Sequence, residues 1–436
     1  MNENPKTVKE KLRKIIKEMT ENTRLFVKSP EKDFSRERKL PFGKVIEMLI
    51  SMGGNSIYKE LLETEGYNVN TATTSAFIQQ RAKILPSAFE FLLGEFTKFH
   101  PMTKKYQGYR LFGVDGSGLN IPPNPKDIES YIQSQPTARG YNVLHINAMY
   151  DLCNRIYADT IVQPVKYLNE KRALTDMVDR SGILEPAIII ADRNYESYNI
   201  FAHIEAKGWN YVIRVKDIDS NGILSGLNIP SDDEFDVRVQ RTLTRKQTNE
   251  VKAHPEIYRF LPKNVTFDFL ELRTNKVYLM QFRVVRIKIK DDSYQTIITN
   301  LDSAFTPEEL KKLYAMRWGI ETSFRDLKYT IGLVNFHAKK REFIIQEIFA
   351  RVIMYNFTEM ITSHVVISMP YTKHAYQINF SVAASVCRRF LRLLPYEPPP
   401  DVEALIRKNI LPVRIDRHYT RNFRQKSAGC FIYRIS

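Results

Sequence analysis

Cysteine is scarce in this chain of 436 residues: Cys153, Cys387 and Cys430 are the three, far apart and without a C-x-x-C pair. A disulfide framework and a cysteine zinc site are excluded, and a reducing, cytoplasmic setting is expected. Histidine is also sparse, at eight, with no H-E-x-x-H or other close pair, and no G-x-x-x-x-G-K-[ST] loop occurs. Zinc-protease and P-loop ATPase chemistry therefore drop out. Long apolar runs are missing too, the longest being of strand length, so no membrane span is expected. The start, M-N-E-N-P-K-T, has no apolar segment behind its charges and does not read as a signal peptide. Acids are in deficit, 49 Asp and Glu against 65 Lys and Arg. The resulting formal charge of +16 calls for a polyanionic partner.

What is present is a globular composition, 43% hydrophobic, in a chain long enough for two or more domains. Residues 1–105 read as helical: K-T-V-K-E-K-L-R-K-I-I-K-E-M is amphipathic, G-K-V-I-E-M-L-I-S-M follows Pro41, and 58–63 and 73–83 continue the pattern. The first helix crowds Lys6, Lys9, Lys11, Arg13, Lys14 and Lys17, which suits either a solvated face with i,i+4 pairs or DNA contact. From Tyr109 the period changes to that of strands. Three runs, the second and third joined at Cys153-Asn154, read as an antiparallel meander, followed by helix 169–181, strand 186–191, helix 196–207 closed by Gly208, and strand 211–215.

Residues 216–303 are strand-rich, with Arg238, Arg241, Arg245, Lys246, Arg286, Lys288 and Lys290 at alternating positions. These cations either blunt edge strands or track a DNA backbone. Thr306-Pro307-Glu308-Glu309 then starts a capped helix, a long apolar helix runs over 341–364, and 366–436 ends in a tail with Arg417, Arg421, Arg424, Lys426 and Arg434.

Two strands end in, or carry, an acid. Asp115 lies within Y-R-L-F-G-V-D-G-S-G-L-N-I, and Asp192 closes the fully apolar P-A-I-I-I-A-D. A third acid stands in Y-A-M-R-W-G-I-E-T-S-F-R-D-L-K, where Tyr314, Arg317, Glu321 and Lys328 are spaced by three, four and seven. At about 100° per residue these four fall within roughly 60° on a helix. One carboxylate among three phosphate-binding groups is an unusual face for a core or for plain solvent. Either Asp taken singly reads as well as a cap or turn acceptor.

With these three islands the chain resembles the DDE transposases of bacterial insertion sequences, specifically the insertion-sequence-four family with its Y-(2)-R-(3)-E-(6)-K motif. V-D-G-S and D-R-N-Y look like the family's blocks around its first and second Asp, except that Asn194 stands where many members have Gly. The resemblance implies an α/β fold: a ribonuclease-H-like mixed-sheet core over 106–215 and 304–365, interrupted by a mostly β insertion, between a helical DNA-binding region at 1–105 and a C-terminal helical region. In that fold the first and fourth strands are neighbours. It further implies Asp115, Asp192 and Glu321 as catalytic, metal-binding residues holding two Mg²⁺ ions, with Mn²⁺ able to substitute. Two divalent ions about 4 Å apart activate the attacking hydroxyl and stabilise the leaving oxygen. Tyr314, Arg317 and Lys328 would bind DNA, with Arg193 as a further phosphate contact. The partners implied are double-stranded DNA, at element ends and target, and a second copy in a homodimeric synaptic complex at the bacterial nucleoid. Members usually pass through a DNA hairpin aided by a stacking Trp of the insertion. That segment has no Trp here, the two being Trp209 and Trp318, which leaves Tyr294 as the base-stacking candidate. The competing readings are a ribonuclease-H-like nuclease or resolvase that cuts without joining, and an inactive DNA-binding derivative of a transposase.

Overall fold

The computed structural model describes residues 3–413 apart from 37, 99–103, 134, 219, 291–292, 366–374 and 395–396. Helices α1 (Glu3–Glu21), α2 (Phe42–Ser51), α3 (Ile57–Thr64), α4 (Thr74–Arg81) and α5 (Ser87–Lys98) come first. Then follow β1 (Arg110–Ile121), β2 (Tyr131–Ile132), β3 (Tyr141–Asp151), β4 (Ile156–Pro164), α6 (Glu170–Arg180), β5 (Ala187–Ala191), α7 (Tyr198–Ala206) and β6 (Asn210–Val215). The next stretch supplies β7 (Phe235–Thr244), α8 (Asn249–Ala253), β8 (Tyr258–Phe260), β9 (Val277–Lys290) and β10 (Ser293–Thr299). The chain closes with α9 (Pro307–Met316), α10 (Trp318–Arg325), α11 (Arg341–Thr362), β11 (Tyr376–Ile378), α12 (Phe380–Arg392), α13 (Val402–Lys408) and β12 (Ile410–Pro412). The tail cations Arg417, Arg421, Arg424, Lys426 and Arg434 lie outside the described residues.

Among the described residues one sheet runs β2-β3-β1-β5-β6-β10-β9-β7-β8, with β4 on β3. The β1–β3–β4 part is an antiparallel meander, whereas β1 pairs parallel with β5 and β5 parallel with β6. Parallel pairing requires crossovers, and α6 and α7 provide them. All five side chains of β5, A-I-I-I-A, are buried, which explains why that strand carries no polar alternation. Gly208 adopts φ +73 to end the α7 segment, a conformation that glycine takes without steric cost.

Two features of the packing go beyond the divisions read from the sequence. The strands of 216–303 do not form a body of their own: β10 pairs with β6 and β9 with β10, so the same sheet simply continues. Likewise the N-terminal helices share one apolar core with α11, α12 and the outer face of β3 and β4, through Leu12, Ile46, Phe89, Ile353 and Leu144 among others. Helix α11, buried nearly all round and carrying polar groups such as Glu347 and Arg351 inside, is the post around which they pack. No helix of the described residues is long and apolar enough to cross a membrane.

Candidate active site

Parallel pairing of β1 with β5 sets Gly113 opposite Ile190, so the chain carries Asp115 just beyond the paired segment and Asp192 just beyond β5. Asp192 caps the 3-10 turn Arg193–Tyr195, its Oδ1 accepting from the Asn194 N–H at 2.9 Å. Asn194 thus fits this turn, as its turn chemistry allows. Glu321 comes from α10, which packs against β1. Because Gly319 has no side chain, that helix approaches Leu152; an added Cβ would lie 3.0 Å from its Cδ2.

Arg317 lies between two of the acids, Asp115 and Glu321. Its guanidinium donates to Glu321 Oε1 at 2.8 Å and stands 4.0 Å from Asp115 Oδ2, with its plane 5.6 Å from the Tyr314 ring centre. Burial raises the Asp115 carboxyl to about 6; the Gly116 N–H and Arg317 pull it down, and Asp192 and Glu321 push it up. Asp115 therefore feels the field of both other acids as well as that of Arg317.

Lys328 departs from the single-helix expectation. The segment is α9, Arg317 as a junction, α10 and then a π turn over Asp326–Thr330, and the π turn widens the helix just where Lys328 sits. Its Nζ donates to Ser117 Oγ at 2.7 Å and to the Gly118 carbonyl at 3.0 Å, so it rests on the end of β1. Burial lowers its pKa against the pull of Asp115. Trp318 is 52% exposed and is no core residue.

Arg193 is exposed beside Asp192. Tyr294 lies on β10, apart from the acids; the Arg286 guanidinium covers its ring at 4.2 Å and is itself held by Asp217 at 3.0 Å. Other cations of that segment are also engaged. Arg241, 1% exposed, donates to the carbonyls of Ile223, Ser225 and Pro255, and Arg245 to those of Pro262, Val265 and Phe267. Alternation in sequence could not reveal this, because irregular loops fold over the strand and bury its outer face.

Three further groups escaped the sequence reading. His145 on β3 meets Glu170 at the start of α6, 2.8 Å away. The pair lies over Gly116, where a Cβ would meet His145 Nε2 at 2.2 Å and Glu170 Oε1 at 2.5 Å. Tyr195 is buried, its hydroxyl without a hydrogen-bond partner among the described residues, in the field of Glu170, Asp115 and Asp192. Only the N-cap signal Asn169-Glu170 was readable in advance, and it does not say what Glu170 faces.

The donor set consists of hard carboxylate oxygens, which suit Mg²⁺ or Mn²⁺. Asp115, desolvated yet only distantly compensated, fits a cation of this kind. As they stand, no three His, Cys, Asp or Glu side chains among the described residues are gathered closely enough to hold a metal ion. Arg317 supplies positive charge between Asp115 and Glu321 instead.

Comparison with solved structures finds similarity to the cryo-electron-microscopy structure of the piggyBac transposase synaptic complex with hairpin DNA: 10% identity, 84% of this chain and 68% of that one covered, TM-score 0.40. Comparison with curated proteins finds no match. Residues 106–357, more than half of the chain and spanning all three acids, match the family model described as Transposase DDE domain. Proteins of this family generally use divalent metal ions, and this chain belongs to it.

Proposed function

We propose that this protein cuts DNA at the ends of a mobile element and joins those ends to a target duplex, by Mg²⁺-dependent chemistry at Asp115, Asp192 and Glu321. The observation that carries the reading is the shared field of these acids, delivered by β1, the end of β5 and α10, with Asp115 raised to about 6. The order β4-β3-β1-β5-β6, three antiparallel strands followed by two parallel ones, supports a ribonuclease-H-like core. The exact intervals from Tyr314 to Lys328 support membership of the insertion-sequence-four group. Residues 106–215 and 304–365 make up that core, 216–303 the insertion, 1–105 the DNA-end-binding region and 366–436 the C-terminal region. Two copies pair two ends.

Asp115, Asp192 and Glu321 would hold the Mg²⁺, which when bound would supply Lewis acidity toward a phosphoryl oxygen and the attacking hydroxyl. The chain's own part is to position. Arg317 carries the planar fork that grips a phosphate in bidentate fashion, and leaving Glu321 for a phosphate would hand that carboxylate to a cation. Lys328 offers a point charge at the rim of β1, and Tyr314 braces Arg317 from its ring face. His145 and Glu170, packed on Gly116, hold the strand that bears Asp115.

Single replacement of Asp115, Asp192 or Glu321 by Ala, assayed with Mg²⁺ and a duplex carrying the element's terminal sequence on a denaturing gel, is expected to lower cleavage by roughly a thousandfold or more with DNA binding kept. A variant that still cuts removes its residue from the site. Arg317→Ala and Lys328→Gln should instead weaken binding and flatten its salt dependence by about one unit of slope per lost phosphate contact.

A further inference from the structure

Beside Asp192 lies a cavity of about 410 Å³, walled on one side by the ends of β5 and β6 and on the other by the 216–303 segment. Four cations line it: Lys171 from α6, Arg193 after Asp192, Lys216 after β6 and Arg259 on β8. The one carboxylate in the lining, Glu196, is already committed. It accepts from the backbone N–H groups of Lys216 at 3.0 Å and Ile223 at 2.6 Å, and of the four cations it acts on Lys171. Lys171 donates to the Glu196 carbonyl at 2.8 Å, and burial, joined by Lys216, lowers its pKa against the pull of Glu196. Among the described residues, Arg193, Lys216 and Arg259 have no hydrogen-bonded or ion-paired side-chain partner. Like charges gathered around one cavity favour an anion between them. Of the arginines that the sequence offered for DNA contact in that segment, Arg241, Arg245 and Arg286 are by contrast bonded within the protein, whereas Arg238 is exposed.

We propose that Lys171, Arg193, Lys216 and Arg259 form a cradle for backbone phosphates of duplex DNA, on the opposite flank of Asp192 from Lys328. The sheet order supplies the flanks: Lys328 rests on β1, whereas Lys216 follows β6, two strands further along with β5 and Asp192 between. Adjacent strands are about 4.8 Å apart, so the two phosphate grips stand roughly 10 Å apart along the sheet. That span equals about three nucleotide steps of duplex at 3.4 Å each, and the scissile phosphate lies in the middle. Arg259 gives the 216–303 segment its role: it brings a cation to the acids' side of the sheet. The cradle rests on the transposase reading and specifies which surface holds the strand running away from the cut. The bound duplex is either the element end beyond the cut or the target; the phosphate chemistry is the same.

The test uses the full-length protein with Lys216→Gln, Arg259→Gln and the double variant. Removing these charges leaves no carboxylate orphaned, and Arg259 raises the energy of the neighbouring Arg241, so melting midpoints are expected to hold or rise. Binding of the double variant to a labelled duplex should weaken at low salt, and its log–log salt slope should fall by about two relative to wild type. Lys216→Arg should restore the slope. If the loss appears with a duplex carrying the element end, the cradle holds the end; if it appears only when a second, unrelated duplex joins the preformed complex, with strand transfer lowered and cleavage intact, it holds the target. A folded double variant with the wild-type slope on both duplexes, in a protein whose wild type cuts DNA, overturns the cradle and leaves the transposase reading standing. A wild type that neither binds nor cuts duplex DNA overturns both.

Discussion

Asp115→Asn is expected to give a protein that no longer cuts DNA yet melts at a higher temperature. The Asp115 carboxyl is raised from 3.8 to about 6, chiefly by burial. Between those two values the folded chain binds more protons than the unfolded chain, so stability falls as pH rises through the window, and the deficit is carried in full at pH 7. A shift of about two units corresponds to about 3 kcal/mol at most. With the side chain 28% exposed, solvent screening brings this to roughly 1–2 kcal/mol, or a few degrees in the melting midpoint. Asn removes the charge and keeps an oxygen for the Gly116 N–H, which Asp115 Oδ1 accepts at 2.8 Å. Mg²⁺ should raise the midpoint of the wild type and leave that of the variant almost unmoved, because a cation that binds only the folded state stabilises it by mass action. An Asn variant that melts lower, or a wild type whose melting ignores Mg²⁺, would contradict the view of Asp115 as a carboxylate strained for want of a cation.

The second large effect lies away from the site. Glu347 on α11 and Arg81 on α4 are 2% and 1% exposed and meet at 2.9 Å. Arg81 also donates to Gln346 Oε1 at 3.0 Å and to the Phe343 carbonyl, and Glu347 accepts the His337 N–H at 2.8 Å. Burial opposes ionisation of Glu347, but Arg81, with His337 and Arg351, overrides it and holds the carboxyl well below the usual range. Glu347→Ala would leave a buried guanidinium uncompensated, at a cost of about 3–5 kcal/mol. Urea unfolding should report this loss, and the Arg81→Met, Glu347→Leu double variant should recover most of it, since paired apolar groups need no solvation. Additive losses in the double variant would show that the two side chains do not act as a pair. A depressed folded-state pKa makes the pair's contribution complete above the unfolded Glu value of about 4.3, and it fades as pH falls below that. This pair locks the N-terminal helices to the helix that also packs on the sheet, so the loss should extend beyond α4.

The legible parts of the chain were those governed by local rules. The β5 strand announced itself as an unbroken apolar run ended by Asp192, and Thr306-Pro307-Glu308-Glu309 forms the capping box that starts α9. The meander turn at Cys153-Asn154 and the Gly208 stop were readable for the same reason, because a turn or a left-handed residue is a property of a few neighbours. Cations were read less well. Lys9, part of a basic helix, is 9% exposed; its amine donates to the Phe390 carbonyl at 2.7 Å, and burial, with Arg13 nearby, lowers its pKa to about 8. Arg241 likewise went inside, whereas Arg259, in a segment with no clear period, lines the basic cavity. A long side chain has enough reach to choose partners from other elements, and spacing along one element does not record that choice.

By itself the sequence determined which segments are helix and strand, where the three acids stand in the chain, and that a polyanion must be met, because periodicity, turn chemistry and net charge are summed over near neighbours or over the whole chain. The tertiary structure alone decided that Arg317 bridges the space between Asp115 and Glu321, that Lys328 rests on β1, that 216–303 extends the sheet, and which cations remain unpaired beside Asp192. Apart from the four-residue step between Arg317 and Glu321, these depend on residues tens to hundreds of positions apart, brought together by packing and by the cost of leaving a buried charge alone.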